Sequence, residues 1–83
     1  MSNNFKHLSA LQKSAFILDR ILAGKTIEQI VALCDGDKAL VRGCIEFMRQ
    51  IRWLRESDNE VIGSDVTDEG KAAIAKHLNT EEI

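Results

Sequence analysis

Thr67-Asp68-Glu69-Gly70-Lys71, arriving just after the short apolar piece Glu60-Val61-Ile62-Gly63, is the stretch on which the fold turns. A threonine hydroxyl can accept from the open amides of a first helical turn. The carboxylates of Asp68 and Glu69 would then stand at the positive end of the helix dipole, so a helix is predicted to begin here. Its apolar residues Ala72, Ala73, Ile74, Ala75 and Leu78 carry helical spacing to the polar tail Asn79-Thr80-Glu81-Glu82. Immediately upstream, Trp53-Leu54-Arg55 and Glu60-Val61-Ile62 read as two short strands around the polar turn Glu56-Ser57-Asp58-Asn59. A lone hairpin of this size is unstable in water, so it is expected to lean on helices.

Three helices are predicted before that hairpin. Ser9-Ala10-Leu11-Gln12 has the form of a capping box, and Leu8, Leu11, Ala15, Leu18, Ile21 and Leu22 repeat at helical spacing until Gly24. Thr26-Ile27-Glu28-Gln29 is a second capping box, introducing a short helix with Ile27, Ile30, Val31 and Cys34 that Asp35-Gly36 stops. Asp37 can cap a third helix over about 37–54, with Leu40, Val41, Cys44, Phe47, Met48, Ile51 and Leu54 as its apolar stripe. The expected fold is mainly α with a small β-hairpin, in the order helix-helix-helix-strand-strand-helix, over a single domain of residues 1–83 with its core at about 8–78.

This order, with Val66-Thr67-Asp68-Glu69-Gly70-Lys71-Ala72 after the hairpin and Thr26-Ile27-Glu28-Gln29-Ile30-Val31 opening the second helix, resembles the winged helix-turn-helix superfamily. The first of these motifs is similar to the junction after the wing in regulators of the multiple-antibiotic-resistance and PadR-like kinds. The resemblance covers roughly residues 8–78. It implies a DNA-binding transcriptional regulator whose third helix enters the major groove.

Composition sets the frame for that expectation. The 83 residues, 45% of them hydrophobic, suit one modest core. No apolar run is long enough to span a bilayer and Met1-Ser2-Asn3-Asn4 lacks the apolar centre of a secretory signal, so no membrane association and a cytoplasmic location are expected. Cys34 and Cys44 fall among apolar residues with no histidine nearby, which reads as core packing in preference to a disulfide or half a metal site. No cofactor is implied. His7 and His77, near opposite termini, have no nucleophile or carboxylate at an interpretable spacing and read as solvated, and there is no phosphate-binding glycine loop, so no enzyme is expected.

The net charge of −2 conceals an asymmetry. Residues 1–36 sum to +1, residues 37–55 to +3 and residues 56–83 to −6. The +3 comes from Lys38, Arg42, Arg49, Arg52 and Arg55 against Asp37 and Glu46. On one continuous helix Lys38, Arg42, Arg49 and Arg52 would share a side, and the resemblance implies that Lys38, Ala39, Arg42 and Glu46 face bases while Arg49, Arg52 and Arg55 lie nearer the DNA backbone. The same cations could simply be a solvated face.

The wing argues differently, because Glu56, Asp58 and Glu60 at its tip would repel a polyanion. A second reading is therefore an adaptor or inhibitor that meets a basic protein surface through this acidic wing and the C-terminal region. Trp53 would either fill the space beneath the hairpin or anchor such a protein contact. Double-stranded DNA is the preferred partner, bound by a homodimer, with Phe5, Ile74 and Leu78 available for dimerisation or for packing.

Overall fold

Two reciprocal capping boxes open the first half of the chain. Ser9 Oγ accepts the Gln12 amide at 3.1 Å while Gln12 Oε1 accepts the Ser9 amide at 3.0 Å, and Thr26 and Gln29 repeat the exchange at 3.1 and 2.9 Å. Asp37 Oδ1 accepts the Leu40 amide at 3.0 Å and starts the third helix. The structure, a computed structural model, describes residues 8–57 and 60–78. Its helices are α1 (Ala10–Leu22), α2 (Ile27–Leu33), α3 (Lys38–Gln50) and α4 (Asp68–Leu78), with a 3-10 turn at Gly63–Asp65 leading into α4.

Three of these helices stop in the same way. Beyond α1 the Lys25 amide reaches back to the Arg20 carbonyl, beyond α2 the Gly36 amide reaches Val31, and beyond α3 the Trp53 amide reaches Met48, at 3.0, 2.8 and 2.9 Å. Each closes a six-residue Schellman loop, which needs a left-handed residue after the last helical one. Gly24 fills that position for α1 with φ 92°, Asp35 for α2 with φ 62° and Arg52 for α3 with φ 69°.

α1 lies at the centre and touches every other helix, α4 most extensively. It buries Ala15, Ile17, Leu18 and Ile21, against which Ile30 and Cys34 of the α2 segment and Val41, Ile45 and Met48 of α3 pack. Leu54, Val61 and Val66 from the connection complete the core. The rotation differs from the expected stripes: Leu11, Leu22, Phe47 and Ile51 are exposed, whereas Ile17 and Ile45 are buried. In α3 the inward face is the set Val41, Ile45 and Met48, spaced by four and three, and Phe47 falls outside it.

The β-hairpin does not form, and with it the winged-helix order of strands fails. Among the described residues there is no strand, only one antiparallel bridge between Leu54 and Val66, flanked by Arg55 N–H to Asp65 O at 2.8 Å and Thr67 N–H to Trp53 O at 3.0 Å. The amides that a hairpin would pair are already taken. Those of Trp53 and Leu54 both donate to Met48 O, at 2.9 and 3.2 Å, and that of Ile62 donates to Asp65 Oδ2 at 3.0 Å while Ile62 O accepts from Asp65 N–H. The third helix accordingly ends at Gln50 and does not run to 54. Trp53, with no hairpin above it, is half-buried against the core and faces the ring of His77 at 6.0 Å, so His77 is not simply solvated either. Asp58 and Asn59 of the expected wing tip, together with Phe5 and His7, lie outside the described residues.

α4 is seated by glycine. A Cβ at Gly70 would stand 2.5 Å from the Trp53 carbonyl oxygen, 3.0 Å from Leu18 Cδ2 and 3.2 Å from Val66 Cγ1. Gly70→Ala therefore sets alanine's helix preference, worth about 1 kcal/mol, against an overpacking cost of about 1–3 kcal/mol at a backbone atom that cannot turn away. The expected outcome is a net loss near the upper end of that difference, about 2 kcal/mol, read from urea denaturation. Arg52→Gly has the opposite sign. Removing the left-handed penalty on an L-residue, about 1–2 kcal/mol, outweighs the added flexibility of the unfolded chain, about 0.4–1 kcal/mol, so the midpoint should rise modestly.

Candidate functional site

The basic segment 37–55 is divided by the end of α3. Lys38 and Arg42 belong to the first half of the helix, where both are exposed, along with Ala39, Gly43 and Glu46. Neither Lys38 nor Arg42 has a side-chain partner among the described residues. At a rise of about 1.5 Å per residue, Lys38 and Arg49 begin about 16 Å apart along the axis.

Arg49 is not on the same open surface. Its side chain, 20% exposed, donates to Glu46 Oε2 at 3.5 Å and to the Ser57 carbonyl at 3.4 Å, and its Nε is buried with no acceptor among the described residues. It fastens the segment after α3 to the helix. Arg52 stands beyond the helix in the left-handed position, and Arg55 follows the bridge residue Leu54; both are exposed.

These three arginines nevertheless meet. Together with Gln50, Leu54, Glu56, Thr67 and Glu69, they line an open cleft of about 620 Å³ between the end of α3 and the start of α4. Thr67 ties the start of α4 to this region, its hydroxyl donating to Arg52 O at 2.6 Å and accepting the Gly70 amide at 3.0 Å. The start of α4 borders the same cleft, with Asp68 and Glu69 in its first turn and the Gly70 amide already bonded to Thr67. Thr67 and Glu69 had no place among the candidate site residues read from sequence. The helix-start pattern marks them as local caps, and only the tertiary contact with Trp53 brings them to the arginines.

The acidic candidates are placed in part. Glu56 lines the arginine cleft, and Glu60 is exposed near the exposed Ile62. A second, more apolar groove of about 410 Å³ runs between the start of α1 and α3, with Ala10, Leu40, Gly43 and Phe47 in its lining. Among the described residues no three metal-ligating side chains cluster, and no helix is long and apolar enough to cross a membrane.

Behind α3, the two thiols are free, Cys34 buried and Cys44 partly so. Burial first, then the neighbouring Cys44 and the carboxylates of Asp35 and Asp37, push the Cys34 thiol from its ordinary 9.0 up to about 11. A neutral thiol kept in the fold contributes stability that is intact below pH 9.0 and is lost as the pH rises through about 11. Thermal unfolding should therefore lose ground between those values, and the Cys34→Ala variant, though less stable at neutral pH, should show a shallower decline over the same window. No known protein-family model matches the chain, and neither the curated proteins nor the solved structures contain a match to it.

Proposed function

We propose that this chain is a small DNA-binding transcriptional regulator that offers the first half of α3 to the major groove. The observation that carries this reading is the pairing of Lys38 and Arg42, exposed and unpartnered among the described residues, on the outward side of a helix that follows a short helix and a tight turn. Ala39 lies beside them, and its small side chain lets the backbone come close to base edges. α1 supports α3 from behind through Val41, Ile45 and Met48, so the reading face is held rigidly. Arg49 drops out of the expected set of phosphate contacts because its guanidinium is committed to Glu46 and Ser57. No wing contact enters the proposal.

Few cations per copy means that few phosphates are neutralised, and an isoelectric point near 5.6 gives little attraction at long range. Two copies on a two-fold symmetric site would double the contribution, so the proposed binding unit is a homodimer. The second reading, an adaptor docking on a basic protein surface, is favoured by the exposed carboxylate of Glu60 beside exposed Ile62 and by the −6 sum of residues 56–83. In that reading Glu60→Lys slows partner association more than it speeds dissociation, because rim charges act mainly on encounter.

Selection of duplex sites from a random pool, followed by titration at several salt concentrations, tests the DNA reading. Arg42→Ala is expected to weaken the selected duplex by about 1–3 kcal/mol and to relax preference at one base position. The logarithmic salt slope should be about −0.9 for each phosphate neutralised. Absence of any mobility shift at low salt, for selected or mixed-sequence duplex, overturns the reading.

A further inference from the structure

α3 has three sides, and the fold covers one of them. Val41, Ile45 and Met48 face inward against α1, while Lys38, Arg42, Glu46 and Arg49 share a charged side. The third side carries Leu40, Gly43, Cys44 and Phe47, with Ile51 just past the helix, and no charged residue. Phe47 and Ile51 are exposed there. The start of α1 brings Ala10 and Ser14 to the same side, and the apolar groove of about 410 Å³ runs between the two helices. Two residues one helical turn apart set its shape. A Cβ at Gly43 would meet nothing within 4 Å, so the backbone lies open at that point, and the exposed ring of Phe47 stands beside this recess.

We infer that this face pairs with the same face of a second copy of the chain, Phe47 of each copy lying over Gly43 of the other. A two-fold axis level with Ile45, midway between those positions, brings both into register when the two α3 helices run antiparallel, so that one contact generates its mate. The face is therefore complementary to itself. A foreign ligand would have to bring both a bulky apolar group for the recess and a recess for Phe47, whereas this chain carries the two four residues apart on one side of one helix. Glycine also lets the helices approach closely. At about 100° per residue Lys38 and Arg42 project from the side of α3 away from Phe47, so the pairing buries none of that charge and leaves both cations uncovered. A contact confined to these turns is at the low end of specific interfaces, below about 1,200 Å² in total, so the pair is expected to form at micromolar concentration and to separate on dilution. The inference gives a face to the homodimer of the DNA reading but stands on the apolar groove, and its test contains no nucleic acid, so either can fail without the other.

The test is sedimentation equilibrium of the full chain from low micromolar to submillimolar concentration, without DNA. A monomer–dimer equilibrium is expected, together with intermolecular nuclear Overhauser effects between the Phe47 ring and the Gly43 α-protons in a mixture of labelled and unlabelled chain. Phe47→Ala should weaken association by about tenfold or more, the effect of removing an aromatic anchor. Gly43→Gln is the decisive variant, because it fills the recess with a good helix former at a position where nothing in the single copy is displaced. Association should again fall by about tenfold or more, while thermal unfolding of the dilute chain stays where it is or moves upward, so lost pairing cannot be assigned to lost structure. A chain that remains monomeric over the whole range overturns the inference, as does a dimer that both substitutions leave unchanged, since it would use another face. A monomeric chain whose Gly43 and Phe47 amides are shifted by an amphipathic helical peptide gives the groove to a foreign partner and overturns the pairing equally.

Discussion

The carbonyl oxygen of Trp53 determines how the last helix joins the first three. It accepts the Thr67 amide at 3.0 Å, and it sits so near position 70 that a Cβ there would approach to 2.5 Å. Both conditions hold only with glycine at 70. The Thr67 hydroxyl adds a second attachment one residue earlier, at the carbonyl of Arg52. Those two carbonyls are available because α3 has just ended and its continuing ladder no longer claims them. Termination of α3 and docking of α4 are thus a single arrangement, which then lets α4 bury Ala73 and lay Ile74 against the core.

Local chemistry made much of the helical framework legible in the residues. Ser9, Thr26, Asp37 and Thr67 act at the helix starts where their side chains predict them, and Gly24 and Asp35-Gly36 stop the helices they were expected to stop. The expected hairpin fails because alternation does not distinguish a paired strand from a lone extended segment. Val61 points inward and Ile62 outward, as strand residues would, yet the backbone of Ile62 is engaged by Asp65. Whether Trp53 donates to a neighbouring strand or back to Met48 depends on which acceptor is near, and that is tertiary information. In the sequence Gly70 is one letter of a junction motif; its physical reason, the Trp53 carbonyl, is seventeen residues away in the chain.

The candidate site was legible as a set of residues but not as a geometry. A helical projection carried through residue 55 merges Lys38, Arg42, Arg49 and Arg52 into one stripe, whereas a helix that ends at Gln50 separates them. Lys38 and Arg42 remain on the outer face of the first turns, and Arg52 and Arg55 turn toward α4. Along the axis Arg42 lies about 12 Å from the helix end at Gln50, more than a Debye length of about 8 Å at physiological salt, so the two groups act on ligands nearly independently. A segment sum of +3 therefore overstates the field that any one partner meets. The same break accounts for Arg49, which lies at the boundary and is used to hold the connection in place.

Arg52 shows what that division costs. Its amide and carbonyl serve the Schellman loop and the Thr67 hydroxyl whatever its side chain is, so the turn itself gives no reason for arginine. At the equivalent position α1 has glycine, and α2 has aspartate, one of the few residues enriched in the left-handed region. An arginine there costs about 1 kcal/mol or more, which a domain with about 5–15 kcal/mol of total stability can carry but would not need to. Strain of this kind persists where the surrounding structure over-determines it, and here Thr67 and Met48 grip the backbone from both sides. The side chain is left as the only part of Arg52 that the fold does not require, and it lies in the cleft with two other guanidinium groups.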